Sequence, residues 1–163
     1  MSKGVEQRPV EGMAAGASSG VLVGRHDHAL DPKKRFTIPS EWRTSMGLPL
    51  YVYVMPDRKE KCLNLIPPAE MESLLERLRE KALFDTALNA AYEAIGAASE
   101  QLSLDCQGRI RVSDKLLQFA NLTTTVAMVG SVRMIKLWDP KALAPEKKVD
   151  QAALDAALKA AGF

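Results

Sequence analysis

Leu30-Asp31-Pro32-Lys33-Lys34-Arg35-Phe36-Thr37-Ile38-Pro39 recurs in altered form as Leu104-Asp105-Cys106-Gln107-Gly108-Arg109-Ile110-Arg111-Val112-Ser113. Superposing Asp31 on Asp105 makes the Leu, Asp and Arg identical and sets Phe36 on Ile110 and Ile38 on Val112. The correspondence continues with Trp42 on Leu116, Gly47 on Asn121 and Leu48 on Leu122. After a slip of two residues, Leu63-Asn64-Leu65-Ile66 meets Ile135-Lys136-Leu137-Trp138. One supersecondary unit used twice predicts a molecule packed about a pseudo-two-fold axis, working through paired, symmetry-related loops.

Local chemistry predicts the unit. A strand begins near Val21-Leu22-Val23, and Phe36-Thr37-Ile38 alternates as a half-buried strand does. Between them Asp31 opens a turn and Pro32 presets its φ. Ser40 is the expected N-cap of a short helix with Glu41 in its first turn and Trp42 and Met46 on one face. Gly47 ends that helix, and its counterpart Asn121 implies that both copies need φ > 0 there. Leu50–Val54 and Leu63–Ile66 read as a hairpin, matched by Val126–Val129 and Met134–Trp138. Two helices join the units. Met71, Leu74, Leu75, Leu78 and Ala82 share one helical phase, and Phe84, Leu88, Ala91, Tyr92 and Ile95 share another, with a break near Leu83-Phe84-Asp85. A further Ala-rich helix follows Val149, with Leu154 and Leu158 on one side. The expected organisation is a flexible tail over 1–19, a first unit over 20–68, a helical connector over 69–97, a second unit over 98–144 and a tail or helix over 145–163.

Composition narrows the function. The chain has 163 residues, 47% of them hydrophobic, enough to build a core, and a net charge of only +2, so nucleic-acid binding must rest on local clusters. No stretch approaches a membrane span, and Cys62 and Cys106 are too far apart for a Cys-x-x-Cys motif. Reduced thiols and the lack of an export signal suit a cytoplasmic protein.

The pattern Asp-x-Lys-x-Arg-x-x-x-Pro, its later form Asp-x-Gln-Gly-Arg-Ile, and Leu122…Val126-Ala127-Met128-Val129-Gly130 followed by Leu137-Trp138 resemble MraZ proteins over roughly residues 20–143. The resemblance implies an α+β fold of tandem AbrB/SpoVT-like swapped-hairpin (double-split β-barrel) units with connecting helices. It also implies a bacterial, nucleoid-associated transcriptional regulator that binds direct repeats upstream of its own cell-division and cell-wall operon, as a ring-like homo-oligomer. Two departures stand out. The family carries glycine before the first arginine, where this chain has Lys34, while the second copy keeps Gly108. The second copy has Ser113 where the first has Pro39, a residue suited to cap the next helix directly. A left-handed Lys costs about 1 kcal/mol relative to Gly. Either the first turn has a different shape, or the added charge offsets the strain.

The candidate DNA contacts are therefore Lys33, Lys34 and Arg35 in the first turn, Arg109 and Arg111 in the second, and Arg25 at the rim. Such residues neutralise phosphates, and Arg grips guanine with two hydrogen bonds. Most short charge runs are simply solvated turns; the repeat and the resemblance favour the DNA reading. The first turn carries more charge and is expected to dominate. Asp31, Asp105 and Gly108 hold the turns in shape.

A proton-sharing pair of Asp31 and Asp105, as in an aspartic protease, is disfavoured because an arginine four residues on keeps each carboxylate ionised. His26-Asp27-His28 places two histidines on one strand face, but a metal site needs a further ligand from elsewhere. Cys106 lies in the second turn without a catalytic setting. Trp42 and Trp138 read as core or interface anchors. No catalytic residue, metal or cofactor is expected. The runner-up function is an AbrB-like antitoxin or assembly module whose basic turn meets a protein partner. An enzyme ranks third, since no triad or phosphate loop is visible.

Overall fold

The computed structural model describes residues 20–82, 87–143 and 150–163. In chain order the elements are β1 (Arg25–Ala29), β2 (Arg35–Thr37), α1 (Ser40–Ser45), β3 (Tyr51–Pro56), β4 (Leu63–Ile66), α2 (Pro68–Lys81), α3 (Leu88–Ala98), β5 (Glu100–Ser103), β6 (Arg109–Arg111), α4 (Asp114–Ala120), β7 (Thr125–Gly130), β8 (Ile135–Trp138) and α5 (Gln151–Ala160). The fold is α+β and every strand pairing is antiparallel.

Six strands form one sheet in the order β1-β7-β8-β4-β3-β5, and β2 and β6 pair separately as a two-stranded ribbon. Exchanging the halves, β1 for β5 and so on, reverses the order of the sheet and leaves it unchanged. The pseudo-two-fold axis expected from the repeat thus runs between β4 and β8. The halves are interlocked rather than side by side. β1 of the first half pairs with β7 of the second, Arg25 opposite Val129, and β5 of the second pairs with β3 of the first, Tyr51 opposite Ser103.

The core lies between sheet and ribbon, and period-two alternation decides what enters it. Val52 and Val54 of β3 and Val126 and Met128 of β7 point inward with Leu63, Leu65, Ile135 and Leu137. From the ribbon come Phe36 and Ile110, which face each other across the strand pair and are both 1% exposed. Trp42 from α1, Met46 at its C-cap, and Leu116, Leu117 and Ala120 from α4 close the ends. Burying each large side chain contributes about 1.5–3 kcal/mol, so the ribbon is tied to the sheet from both halves.

Local expectations meet two corrections and one addition. Val21-Leu22-Val23 is not a strand: Leu22 makes only an isolated bridge to Val132, because Gly24 at φ +89° breaks the extended run before β1. Ser40 does not cap α1. Pro39 occupies the cap position without a side-chain bond, and Ser40 is already helical. In the second half Ser113 does cap α4, its Oγ accepting from the Leu116 amide. The ends of α1 and α4 have the expected left-handed residues, Gly47 at φ +87° and Asn121 at φ +55°, but Leu48 is left-handed too, at φ +52°. Leu48 is 64% exposed, whereas its counterpart Leu122 is 4% exposed.

The connector is two helices, α2 and α3, and the break expected at Leu83-Phe84-Asp85 lies at residues 83–86, outside the described ones. So do the tail over 1–19 and residues 144–149. Leu154 and Leu158 lie on α5, which buries no residue.

Candidate nucleic-acid interface

The two turns are built bond for bond alike. In the first, Asp31 Oδ1 accepts from the amides of Lys33 and Arg35 at 2.8 Å each, and Oδ2 accepts from Arg35 Nε at 2.7 Å. In the second, Asp105 Oδ1 accepts from the amides of Gln107 and Arg109 at 2.9 Å each, and Oδ2 accepts from Arg109 Nε at 2.7 Å. The backbone repeats as well: Lys34 N donates to Asp31 O, and Gly108 N donates to Asp105 O. The Arg35 amide, its guanidinium and the Lys33 amide hold Asp31 below the usual carboxylate range, and the Arg109 and Gln107 donors do the same for Asp105. Both carboxylates stay ionised, which is incompatible with a shared-proton pair. Each aspartate also aims its arginine. Nε is engaged inside the turn, so the terminal nitrogens of each guanidinium extend from a fixed base.

Lys34 answers the question its departure from glycine raised. It is left-handed at φ +62°, close to Gly108 at φ +78°, so the first turn keeps the shape of the second. Its ammonium reaches Asp114 at the start of α4, and this pair holds Asp114 low.

The ribbon then mixes the copies. β2 and β6 run antiparallel with Arg35 opposite Arg111 and Thr37 opposite Arg109. Arg111, from the second copy of the motif, therefore lies at the end of the ribbon beside the first turn, and its Nε donates to Lys33 O at 3.1 Å. The second turn receives a residue from the first half in return. Arg43 of α1 donates Nε to Ile38 O at 2.9 Å, and a methyl group at Gly108 would lie 2.4 Å from Arg43 Cζ. The sequence did carry a signal for Arg43. At the repeat offset it falls on Leu117, and glycine is kept only in the turn that Arg43 covers. The first turn thus gathers Lys33, Lys34, Arg35 and Arg111 against Asp31 and Asp114; the second gathers Arg109 and Arg43 against Asp105. Arg25 stands apart on β1, paired with Asp27 at 2.8 Å.

The other candidate chemistry disperses. His26 packs its ring edge-on against Trp42 at 4.8 Å, and His28 Nδ1 lies 2.9 Å from Ala29 O. Neither belongs to a three-ligand group among the described residues. Asp57, Glu60 and Cys62 do converge, but a cation of the protein already serves them. Lys136 Nζ donates to Asp57 Oδ1 at 2.9 Å, and Asn64 Nδ2 and the amides of Lys59 and Glu60 complete that carboxylate. Burial opposes ionisation there, yet these donors hold Asp57 far below the usual range. Cys106 is exposed and Cys62 is buried. Among the described residues no helix is long and apolar enough to cross a membrane.

The site is an interlocked antiparallel sheet carrying a ribbon with two aspartate-braced arginine turns. Comparisons with known proteins identify the family. Residues 95–153 match the family model described as "MraZ protein, putative antitoxin-like". A protein named transcriptional regulator MraZ from Dehalococcoides mccartyi is 30% identical over 131 residues, 80% of this chain and 91% of the relative. Proteins of the same name from Mycolicibacterium smegmatis and Clostridium acetobutylicum are 29% and 28% identical, covering 75% and 72% of this chain and 83% and 81% of the relatives. The chain belongs to the MraZ family.

Proposed function

We propose that this protein is a sequence-specific DNA-binding transcriptional regulator that reads DNA through the ribbon end bearing the first turn. One observation carries the reading. Arg35 and Arg111 stand directly opposite each other with Lys33 and Lys34 alongside. Like charges facing across a strand pair are unfavourable in the free protein, and an anionic ligand relieves them. A two-stranded ribbon fits the major groove, where Arg takes guanine O6 and N7 while Lys takes phosphates. Arg35 is the reader or clamp, Lys33 and Lys34 the phosphate contacts, Arg109 and Arg111 the supporting pair and Arg25 the rim. Asp31, Asp105 and Gly108 shape the turns.

The finer architecture belongs to the same reading. The exchange of β1 and β5 between hairpins supports two AbrB-like swapped-hairpin units, over 20–68 and 98–144, with a connector over 69–97. One such ribbon neutralises few phosphates, so useful affinity calls for several copies on repeated sites, as a ring-like homo-oligomer would provide. The targets are direct repeats upstream of the protein's own cell-division and cell-wall operon, in the cytoplasm at the nucleoid.

The test is fluorescence anisotropy against duplex DNA from upstream of this protein's own gene, with a shuffled duplex of equal length, across a salt series. Preference for the upstream duplex that survives moderate salt is expected. Equal, salt-fragile binding to both duplexes refutes sequence reading. It would favour the second reading, an antitoxin-like module whose basic turn meets an acidic protein surface, which the family description supports.

A further inference from the structure

The two turns share their internal bonds but not their supports. The hollow beside the first turn is lined by Lys34, Asp114, Leu117 and Asn121, and its symmetry counterpart beside the second by Gly108, Arg43, Leu48 and Cys106. Where the first turn has an aliphatic Leu117, the second has a guanidinium. That guanidinium is anchored through Nε to Ile38 O and lies across Gly108. Ile38 is also the residue whose amide donates to Gly108 O at 3.0 Å. Arg43, Ile38 and Gly108 therefore form a closed clasp. It joins α1 of the first half to the turn of the second, one residue before Arg109.

We propose that Arg43 is the positioning residue of the second turn, its guanidinium over Gly108 holding Arg109 in the orientation that meets DNA. The proposal rests on the DNA reading above. It accounts for one of the three differences between the two turns, Lys34 against Gly108. Beside the first turn Leu117 stands where Arg43 stands beside the second, and the Lys34 ammonium pairs with Asp114, so Lys34 is accommodated. At position 108 any side chain would displace Arg43, so only glycine fits both the left-handed backbone and the clasp. It also explains why a rigid planar fork is used here, since Arg43 bonds Ile38 O through Nε while the rest of its plane lies over Gly108, an arrangement that the single ammonium of Lys does not reproduce.

Two variants break the clasp from opposite sides, Arg43→Lys by removing the fork and Gly108→Ala by pushing it away. Amide hydrogen exchange on the full chain reads the clasp without DNA. The amides of Ile38, Gly108 and Arg109 are expected to exchange about tenfold faster in both variants, with Lys34 and Arg35 unchanged. Anisotropy reads its consequence. Each variant should weaken binding to the upstream duplex as much as Arg109→Ala does, and Arg43→Lys combined with Arg109→Ala should be no worse than either alone, because one acts through the other. Additive losses, or unchanged exchange at the second turn, overturn the proposal. A general loss of melting temperature with exchange raised equally in both turns also overturns it, by making Arg43 a stabiliser of the fold. A wild-type protein with no preference between duplexes refutes the DNA reading instead, and the exchange pattern then decides the clasp alone.

Discussion

The first turn, residues 31–35, and the second, residues 105–109, have the same hydrogen bonds and opposite surroundings. The first borrows Arg111 and Asp114 from the other half and collects four cations; the second borrows Arg43 and collects two. A duplicated motif can therefore keep its internal chemistry while the fold gives its copies different work. The difference arises because the ribbon is antiparallel and built from both halves, so the residues that follow one turn in sequence lie beside the other turn in space.

Removing what the turns share has the largest expected effect. Phe36 is buried at the centre of the ribbon, facing Ile110. Phe36→Ala should cost about 3–5 kcal/mol of stability, measured by denaturant titration, and should impair both turns together. Loss confined to one turn would show that the ribbon is not their common floor.

Next in size is the contrast between the arginines. Arg35→Ala should lower affinity for the upstream duplex by about a hundredfold, the value of a bidentate base contact. Arg109→Ala should lower it by about tenfold, with the oligomer intact in both by sedimentation. Equal losses would mean that the two turns read DNA as equivalents, and the count of borrowed charges would then be irrelevant.

Acid tests what is common to them. Asp31 and Asp105 both have folded-state pKa values below the unfolded one. Their stabilisation is fully present above the unfolded value of about 4 and is lost as pH falls through the folded values. The melting temperature should fall on the acid side of that value, and Asp31→Asn combined with Asp105→Asn should flatten the fall. An unchanged profile in the double variant would place the acid sensitivity elsewhere, with Asp57 the first alternative.

Lys34→Gly should have the smallest effect, because relief of about 1 kcal/mol of left-handed strain opposes the loss of the exposed pair with Asp114. The melting temperature should scarcely move, while the slope of log affinity against log salt falls by about one if Lys34 meets a phosphate. An unchanged slope would leave the ammonium to Asp114.

Much of this was legible in the chain. Strand β2 followed from alternation, β3 and β4 from strand-type apolar runs, β6 to β8 from the repeat, the left-handed residues 47 and 121 from a Gly/Asn exchange, and the aspartate-braced turns from the repeat itself. Ser40 misled because a serine before an apolar helix is a good cap only when the chain bends there, and here the bend falls at Pro39. Val21–Val23 misled because three apolar residues suggest a strand, and the left-handed Gly24 that follows confines their pairing to the single bridge of Leu22 to Val132. The place of Arg111 was missed for a different reason. Proximity in sequence puts Arg111 with the second turn, whereas strand pairing between halves sets it opposite Arg35 beside the first.

The amino-acid order by itself determined the repeated unit, its turn chemistry and its family, because each depends on residues within a few positions of one another. Only the tertiary structure decided that β1 and β5 change places between hairpins, that Arg35 faces Arg111 and that Arg43 covers Gly108. Those contacts join residues far apart in the chain, and burial of Phe36, Ile110 and the sheet's inner face, rather than any local preference, selects the pairing that creates them.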